Sequence, residues 1–469
     1  MTDVARSTAS ASEVTGRPAP GPPRPYRFPV FTRARLANGL EVIVAPVPRL
    51  PLITIRLVID AGASIEDRAQ AGLAHLTALA LAEGTLRAGG AQLAEEFEQL
   101  GGSLSTSASW DGVHLITSVL STRFEAALSL LAEVTRTPSF PAREVDRLRD
   151  ERLAELLELR AEPRGLADER FASILYDQRS RYALPEGGTE DTVGSLTREH
   201  CLGFHDRQIR PRATSVVIVG DVEIERAVAA AERTFGDWSG VPQQVGRTMA
   251  GPARIGRTLH LIARPGAPQS ELRVGHIGIP RVHPDYFSVV VMNAILGGVF
   301  SSRINLNLRE RNAFTYGASS GFDWRRDAGP FVVSTAVATG VTAAAVREIL
   351  SEIDGIRAAP PGVDELSLAT SYLDGVFPIR FETTEAIASA LSSLQIFGLP
   401  DDYYDTYRDN VRNVATDDVQ RVALAHLAPD RVQIVAVGDP EEAGRQLESL
   451  ALGPVLYWTP EGVLTRESA

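Results

Sequence analysis

His75 is the residue of this chain whose setting most invites chemistry. It lies in GLAHLTALALAEGT, Gly72–Thr85, a stretch that reads as a short helix. On a helix, positions i, i+3 and i+4 share a face. Histidines at i and i+4 with a glutamate at i+3 therefore make a zinc site with a general base beside the metal-bound water. His75 stands at the first of these positions. Ala78 stands where the base would be and Leu79 where the second ligand would be. Neither can bind a metal or move a proton. Taken alone, the stretch is an Ala/Leu-rich buried helix containing one histidine.

The pattern resembles G-x-A-H-x-x-E-H-x-x-x-x-G-T of the pitrilysin-type (inverted zincin) peptidases, in the branch of short two-domain subunits related to processing peptidases. Gly72, Ala74, His75, Gly84 and Thr85 are in register with it. The resemblance runs from about Phe28 to about Tyr457. It implies a third zinc ligand one helix pair downstream. Glu155, in LAELLELRAEP, falls at that position, and without the resemblance it reads as one more charge on a solvated helix. His75 and Glu155 are thus expected as vestigial ligands. A catalytic zinc needs three protein ligands and a water, so no metal is expected in this chain. The other histidines offer no substitute, since His200 and His205, five residues apart, diverge by about 140° around a helix.

A second segment, NAILGGVFSSRINLNLRERNAFTYGASSGF (Asn293–Phe322), resembles the family's N-x-x-L-G-G-x-x-x-S-R-L…L-R-E-x-x-x-x-x-Y. Arg309 and Tyr316 match its paired Arg and Tyr. The resemblance implies that this pair binds the substrate backbone near the scissile bond, where a guanidinium and a phenol can donate to a carbonyl oxygen as it gains negative charge. Read from the residues alone, Arg309 is part of a charged helix end and Tyr316 opens a strand and could simply be packed. Ala313-Phe314-Thr315 departs mildly from the family's Gly-containing tripeptide.

The elements that must position these residues suggest a diverged duplication. TSVVIVGDVEIERA (Thr214–Ala227) and VQIVAVGDPEEAGR (Val432–Arg445) are each an apolar strand ending in Gly-Asp and entering a helix, and each follows a helix. Strand, Pro-containing loop and strand recur at Gly39 and at Thr258. Hairpin strands are expected at Ser103–Trp110 and Gly112–Leu120, and helices at Thr122–Thr135, Ala142–Arg160 and Gly165–Tyr176. In the second half, helices are expected at Asp285–Leu296 and Ser301–Arg311, strands at Phe314–Trp324 and Gly329–Thr339, then five helices between Val341 and Leu427. The fold class is α+β. With the resemblance, two homologous domains are expected, each a mainly antiparallel sheet covered by helices, facing each other across a cavity. The expected divisions are a disordered arm at 1–27, an N-terminal domain at 28–240, a linker at 241–257, a C-terminal domain at 258–458 and a tail at 459–469.

Composition narrows the chemistry. The 469 residues are 44% hydrophobic and 23% charged, ordinary for a globular protein. A net charge of −12 argues against nucleic-acid binding. No uninterrupted apolar run reaches the length of a membrane span. Lysine is absent, so all 47 basic residues are arginines, which excludes a Schiff-base lysine or a P-loop. The single cysteine, Cys201, excludes an internal disulfide framework and fits a cytoplasmic location.

The zinc half-site is lost and the Arg/Tyr half-site kept. The expectation is a non-catalytic subunit of a heterodimeric zinc peptidase. A homologous subunit bearing H-x-x-E-H would supply the zinc and the base, and this chain would offer Arg309 and Tyr316 to an extended peptide. Strands near Ile53–Ala61 are expected to receive that peptide by strand addition, and a homodimer is one state left open to the chain when it is alone. The alternative is an inert structural or peptide-binding protein of the same fold.

Overall fold

The computed structural model describes residues 25–246 and 251–468. Six strands, β1 (Thr32–Arg35), β2 (Glu41–Pro46), β3 (Leu52–Ile59), β4 (Ser105–Ala108), β5 (Val113–Leu120) and β6 (Thr214–Gly220), form the first sheet in the order β1-β2-β6-β3-β5-β4. The second sheet uses β7 (Thr258–Ala263), β8 (Gln269–Ile277), β9 (Ala318–Phe322), β10 (Pro330–Ala338), β11 (Gln433–Gly438), β12 (Val455–Trp458) and β13 (Leu464–Glu467), in the order β13-β12-β7-β11-β8-β10-β9. The run β2-β6-β3-β5-β4 is thus repeated as β7-β11-β8-β10-β9. The parallel pairings are β2 with β6, and β7 with both β11 and β12. The remaining pairings are antiparallel, giving two mixed sheets within an α+β architecture.

Sequence pattern explains which strands lie where. All seven residues of β6 are buried, as a continuous apolar run requires when both faces are covered. In β5 and β10 buried positions alternate with partly exposed ones, the period-2 signature of strands with one fully packed face.

The two halves interlock. Helix Pro163–Leu175 belongs to the first half by chain order, yet its Leu166, Phe171 and Ile174 pack with Ile262, Val435 and Val437 of the second sheet. Helix Thr384–Phe397 does the reverse, setting Ile387, Leu391 and Leu394 in one core with Ile43, Val58 and Val217 of the first. Each sheet therefore has its own helices on one face and a borrowed helix on the other. A cavity of about 270 Å³ lined by residues of both halves remains at this seam.

The structure bears on four of the expectations. The tail at 459–469 is part of the second sheet, because β13 pairs with β12. The sequence hid this because β13 is short and exposed along its length. Most of the arm at 1–27 lies outside the described residues, but Tyr26 is already packed edge-on against Phe377. The linker, described except for 247–250, is anchored where the Asp177 and Ala253 N–H groups donate to Gly251 and Leu175 carbonyls. Finally, the helical run Tyr286–Arg311 is long and apolar enough to cross a membrane by length and composition. Half of its apolar window is buried, and it is built into the second core.

Candidate functional site

Helix Leu73–Ala80 carries the degenerate motif. Its start is held by Glu66, whose carboxylate accepts the N–H groups of Gly72 at 3.0 Å and Ala74 at 2.5 Å. Glu66 is itself bound by Arg181, and both side chains are almost fully buried. Gly72 sits at φ 96°, and a Cβ there would lie 2.8 Å from the Gly187 carbonyl oxygen, so the turn needs glycine. This clamp fixes the rotation of the helix. His75 and Leu79 share its partly accessible face, while Thr77 and Ala78 are completely buried. Cys201, near Thr77, is also buried, and burial pushes its thiol up to about 11. It is no nucleophile.

The adjacent helix Ala142–Ala161 carries Glu155. Its carboxylate is bound at 3.0 Å by Arg152 one turn earlier, and the same guanidinium donates to the Gly187 carbonyl at 3.2 Å. Arg152 is the more enclosed partner, 15% exposed against 60% for Glu155. Burial lowers the pKa of His75, the Arg152 charge lowers it further, and Glu155 opposes them. A guanidinium therefore acts electrostatically on both His75 and Glu155. These residues do not fit a catalytic zinc: two of three donors remain, one is engaged by an arginine, and the base position is a buried alanine.

Arg309 and Tyr316 are presented by a different device. The helix ends in a π turn, Leu306–Arg311, a wide turn often found at functional sites. Arg309 lies 4.7 Å over the Phe300 ring and 3.4 Å from Glu310. The chain then reverses through Ala313 at φ 53°. The Thr315 hydroxyl accepts the Gly317 N–H and donates to the Gly317 carbonyl, leaving Tyr316 96% exposed at the tip. The strand expected from Phe314 begins only at Ala318, because Ala313 and the Thr315 turn break the extended run. Arg309 and Tyr316 both line an open cavity of about 880 Å³, with Phe300, Tyr372 and the charged set Arg164, Asp168 and Arg273. His75 and Glu155 do not line it. The cavity brings the Arg/Tyr pair together and leaves the two vestigial ligands elsewhere on the chain.

Strand addition at Ile53–Ala61 is not available, because β3 is paired with β5 on one side and β6 on the other. The edge strands are β1 and β4 in the first sheet and β13 and β9 in the second. On β9 the Ala318 N–H donates to Asn305, and the Ser320 carbonyl accepts from Asn293. In the first sheet β4, next to helix Leu73–Ala80, is the better template.

Two features escaped sequence reading. Arg152 carried only the weak signal of an i,i+3 Arg–Glu pair. His283, Asp285 and His426 offer ligand atoms within 4.8 Å of one another, a group that could hold a metal ion. No spacing announces it, since His426 arrives from a distant helix. Asp285 there already binds His426 at 2.7 Å and Arg421 at 2.8 Å, and its N–H donates to His283 Nδ1. These bonds tie helix Thr416–His426 to the start of helix Tyr286–Asn293.

Comparison with known proteins agrees with this architecture. Residues 43–184 match the family described as Insulinase (Peptidase family M16), and residues 195–373 match the one described as Peptidase M16 inactive domain. A protein of Mycobacterium leprae named as an uncharacterized zinc protease is 25% identical over 411 residues, 84% of this chain and 88% of that protein. Another, of Rickettsia felis and named in the same way, is 25% identical over 69% of this chain and 77% of its own length. The crystal structure of a peptidase M16 inactive domain from Pseudomonas fluorescens superposes with a TM-score of 0.82 at 26% identity, covering 87% of this chain and 98% of that one. A protease from Helicobacter pylori shares the fold, with a TM-score of 0.81 at 18% identity over 88% of this chain and all of that one.

Proposed function

The chain belongs to the M16 (pitrilysin/insulinase) peptidase family, and from that premise we propose that it is the non-catalytic subunit of a heterodimeric zinc peptidase. A homologous partner carrying the intact H-x-x-E-H motif supplies the zinc and the general base. This chain supplies Arg309 and Tyr316, which bind the peptide backbone and polarise the carbonyl under attack. The observation that carries the proposal is an asymmetry. Arg152 holds Glu155 and faces His75 where a metal would need both, while Arg309 and Tyr316 project into an open cavity of about 880 Å³.

That cavity has the size and lining for an extended peptide. Phe300, Tyr316 and Tyr372 offer aromatic faces, and Arg309 offers a guanidinium. Within the pair, the β4 edge is the natural place for a peptide to add as a strand, since backbone pairing tolerates many sequences. The relatives named zinc proteases fit this setting as the kind of enzyme the partner would be.

Peptide hydrolysis by this chain, by the H-x-x-E-H partner and by their mixture tests the proposal. Activity in the mixture alone, lost with Arg309→Ala in this chain, is the expected result. A partner that is fully active alone and unchanged by this chain would overturn it, and would favour an inert binding or structural role.

A further inference from the structure

The first sheet has one face covered by a helix from the second half, and that face is not wholly apolar. Strand alternation sends Thr54, Arg56 and Val58 of β3, with His114 and Ser118 of β5, toward helix Thr384–Phe397. Thr54 bonds Thr384 at 2.7 Å and Ser118 bonds Glu385 at 2.8 Å, and Val58 joins the apolar core. Arg56 and His114 instead line the 270 Å³ cavity at the seam, together with Glu186, Arg325, Ser389 and Ser393.

Three polar atoms at this cavity are left unsatisfied. Arg56 Nε, His114 Nδ1 and Arg325 Nη1 are buried without a hydrogen-bond partner. Arg56 has neither an ion pair nor a hydrogen bond among the described residues. Two of the three carboxylates at the cavity are engaged elsewhere, Asp323 by Arg325 at 2.5 Å and Asp111 by the Arg326 N–H at 2.9 Å, and burial holds the third, Glu186, toward its neutral form, with a pKa of about 7. His114 is no second cation, since burial and the Arg56 charge push it down to about 3. The partly buried Arg56 guanidinium thus faces the cavity with no ion-pair partner among the described residues, an arrangement that costs free energy unless an anion joins it.

We propose that this interdomain cavity binds a small oxyanion of the class of inorganic phosphate, with Arg56 as its counter-charge. A guanidinium fork matches two oxygens of an oxyanion. Ser393 spends its proton on the Ser389 carbonyl, so its oxygen is free to accept from an O–H such as that of hydrogen phosphate. A volume of 270 Å³ accommodates such an ion with several waters, each of which takes about 30 Å³. Because the walls come from β3, β5 and helix Thr384–Phe397, the bound ion ties the two halves together.

Isothermal titration of the whole chain with inorganic phosphate tests this. One ion per chain is expected, with affinity falling roughly tenfold or more in Arg56→Met and unchanged in Arg226→Met, which alters an exposed arginine far from the seam. In phosphate-free buffer Arg56→Met is expected to melt higher than the natural protein, because the uncompensated cation is gone. Absence of saturable binding by the natural protein, or full affinity in Arg56→Met, would overturn the proposal. Should that variant not fold, hydrogen exchange on the natural protein decides: phosphate is expected to slow exchange in β3 and helix Thr384–Phe397, and unchanged exchange there overturns it.

Discussion

Arg152 donates to the Glu155 carboxylate at 3.0 Å and is anchored on the Gly187 carbonyl at 3.2 Å, beside the face on which His75 and Leu79 stand. The position that the family resemblance assigns to zinc is therefore shared with an internal cation. Restoring the motif with Ala78→Glu and Leu79→His is expected to give weak zinc binding, because the metal must displace a guanidinium from Glu155. Adding Arg152→Ala should tighten binding about tenfold or more, since a like charge close to the site costs on the order of 1–3 kcal/mol. Zinc retained after dialysis, measured for the double and triple variants, checks this; equal retention would show that Arg152 is a bystander.

Arg309 and Tyr316 are predicted to matter for turnover and not for stability. Tyr316 is 96% exposed, and the partners of Arg309 among the described residues are its neighbour Glu310 and the exposed Phe300 ring, so Arg309→Ala and Tyr316→Phe should leave unfolding free energy within about 0.5 kcal/mol. In the active mixture with an H-x-x-E-H partner, each should lower kcat by roughly 10²–10³, the cost of one lost oxyanion donor. A fall in stability with kcat unchanged would assign the pair to packing.

Much of the fold was legible because period and punctuation are local properties. The alternation in β5 and β10, the buried run of β6 and the five helices after Val341 all follow from side-chain pattern. The duplication showed in the paired Gly-Asp strand ends. What was not legible is non-local. Nothing in Pro163–Leu175 or Thr384–Phe397 says that each helix covers the sheet of the other half. Strand β3 reads as an available strand until β6 arrives from far along the chain to pair with it. Arg56 reads as an ordinary strand arginine until helix Thr384–Phe397 closes over it. The site divides the same way: the missing chemistry at Ala78 and Leu79 is visible in sequence, whereas the effect of the Arg152 charge on both His75 and Glu155 needs two packed helices.

Ala313 occupies the left-handed region at φ 53° in the loop that carries Tyr316. An alanine there is strained by about 1–2 kcal/mol. Glycine relieves that strain but adds about 0.4–1 kcal/mol of unfolded-state entropy. Ala313→Gly should therefore raise stability by up to about 1.6 kcal/mol, and Ala313→Val should lower it. Chemical denaturation of the three proteins measures the order.

The Glu66–Arg181 pair is predicted to be the most sensitive polar contact near the motif helix. Both side chains are almost fully buried, and Glu66 also holds two N–H groups at the start of helix Leu73–Ala80. Removing one partner strands the other, so Arg181→Met should cost about 3–5 kcal/mol. Replacing both by apolar residues of similar volume should cost less. A double-mutant cycle showing simple additivity would contradict this.

Glu186 sets a pH dependence at the seam between the halves. Burial raises its pKa to about 7, against Arg325 and Arg181, which lower it, and Asp323 and Glu66, which raise it. The folded protein thus holds this proton at pH values where the unfolded chain, with a carboxyl near 4.5, has released it. Stability from this group is fully present below about pH 4.5 and is lost as the pH rises to about 7, by roughly 3 kcal/mol at one pKa unit per 1.36 kcal/mol. Above that range the contribution is flat. Glu186→Gln keeps the shape of the protonated acid, so it should remove this slope and make the protein more stable than the natural chain at pH 8. Urea unfolding at pH 5, 6, 7 and 8 for both proteins gives the comparison. A natural chain that gains stability across that range relative to Glu186→Gln would show that the carboxylate is paired in the folded state and that its burial is not the controlling influence.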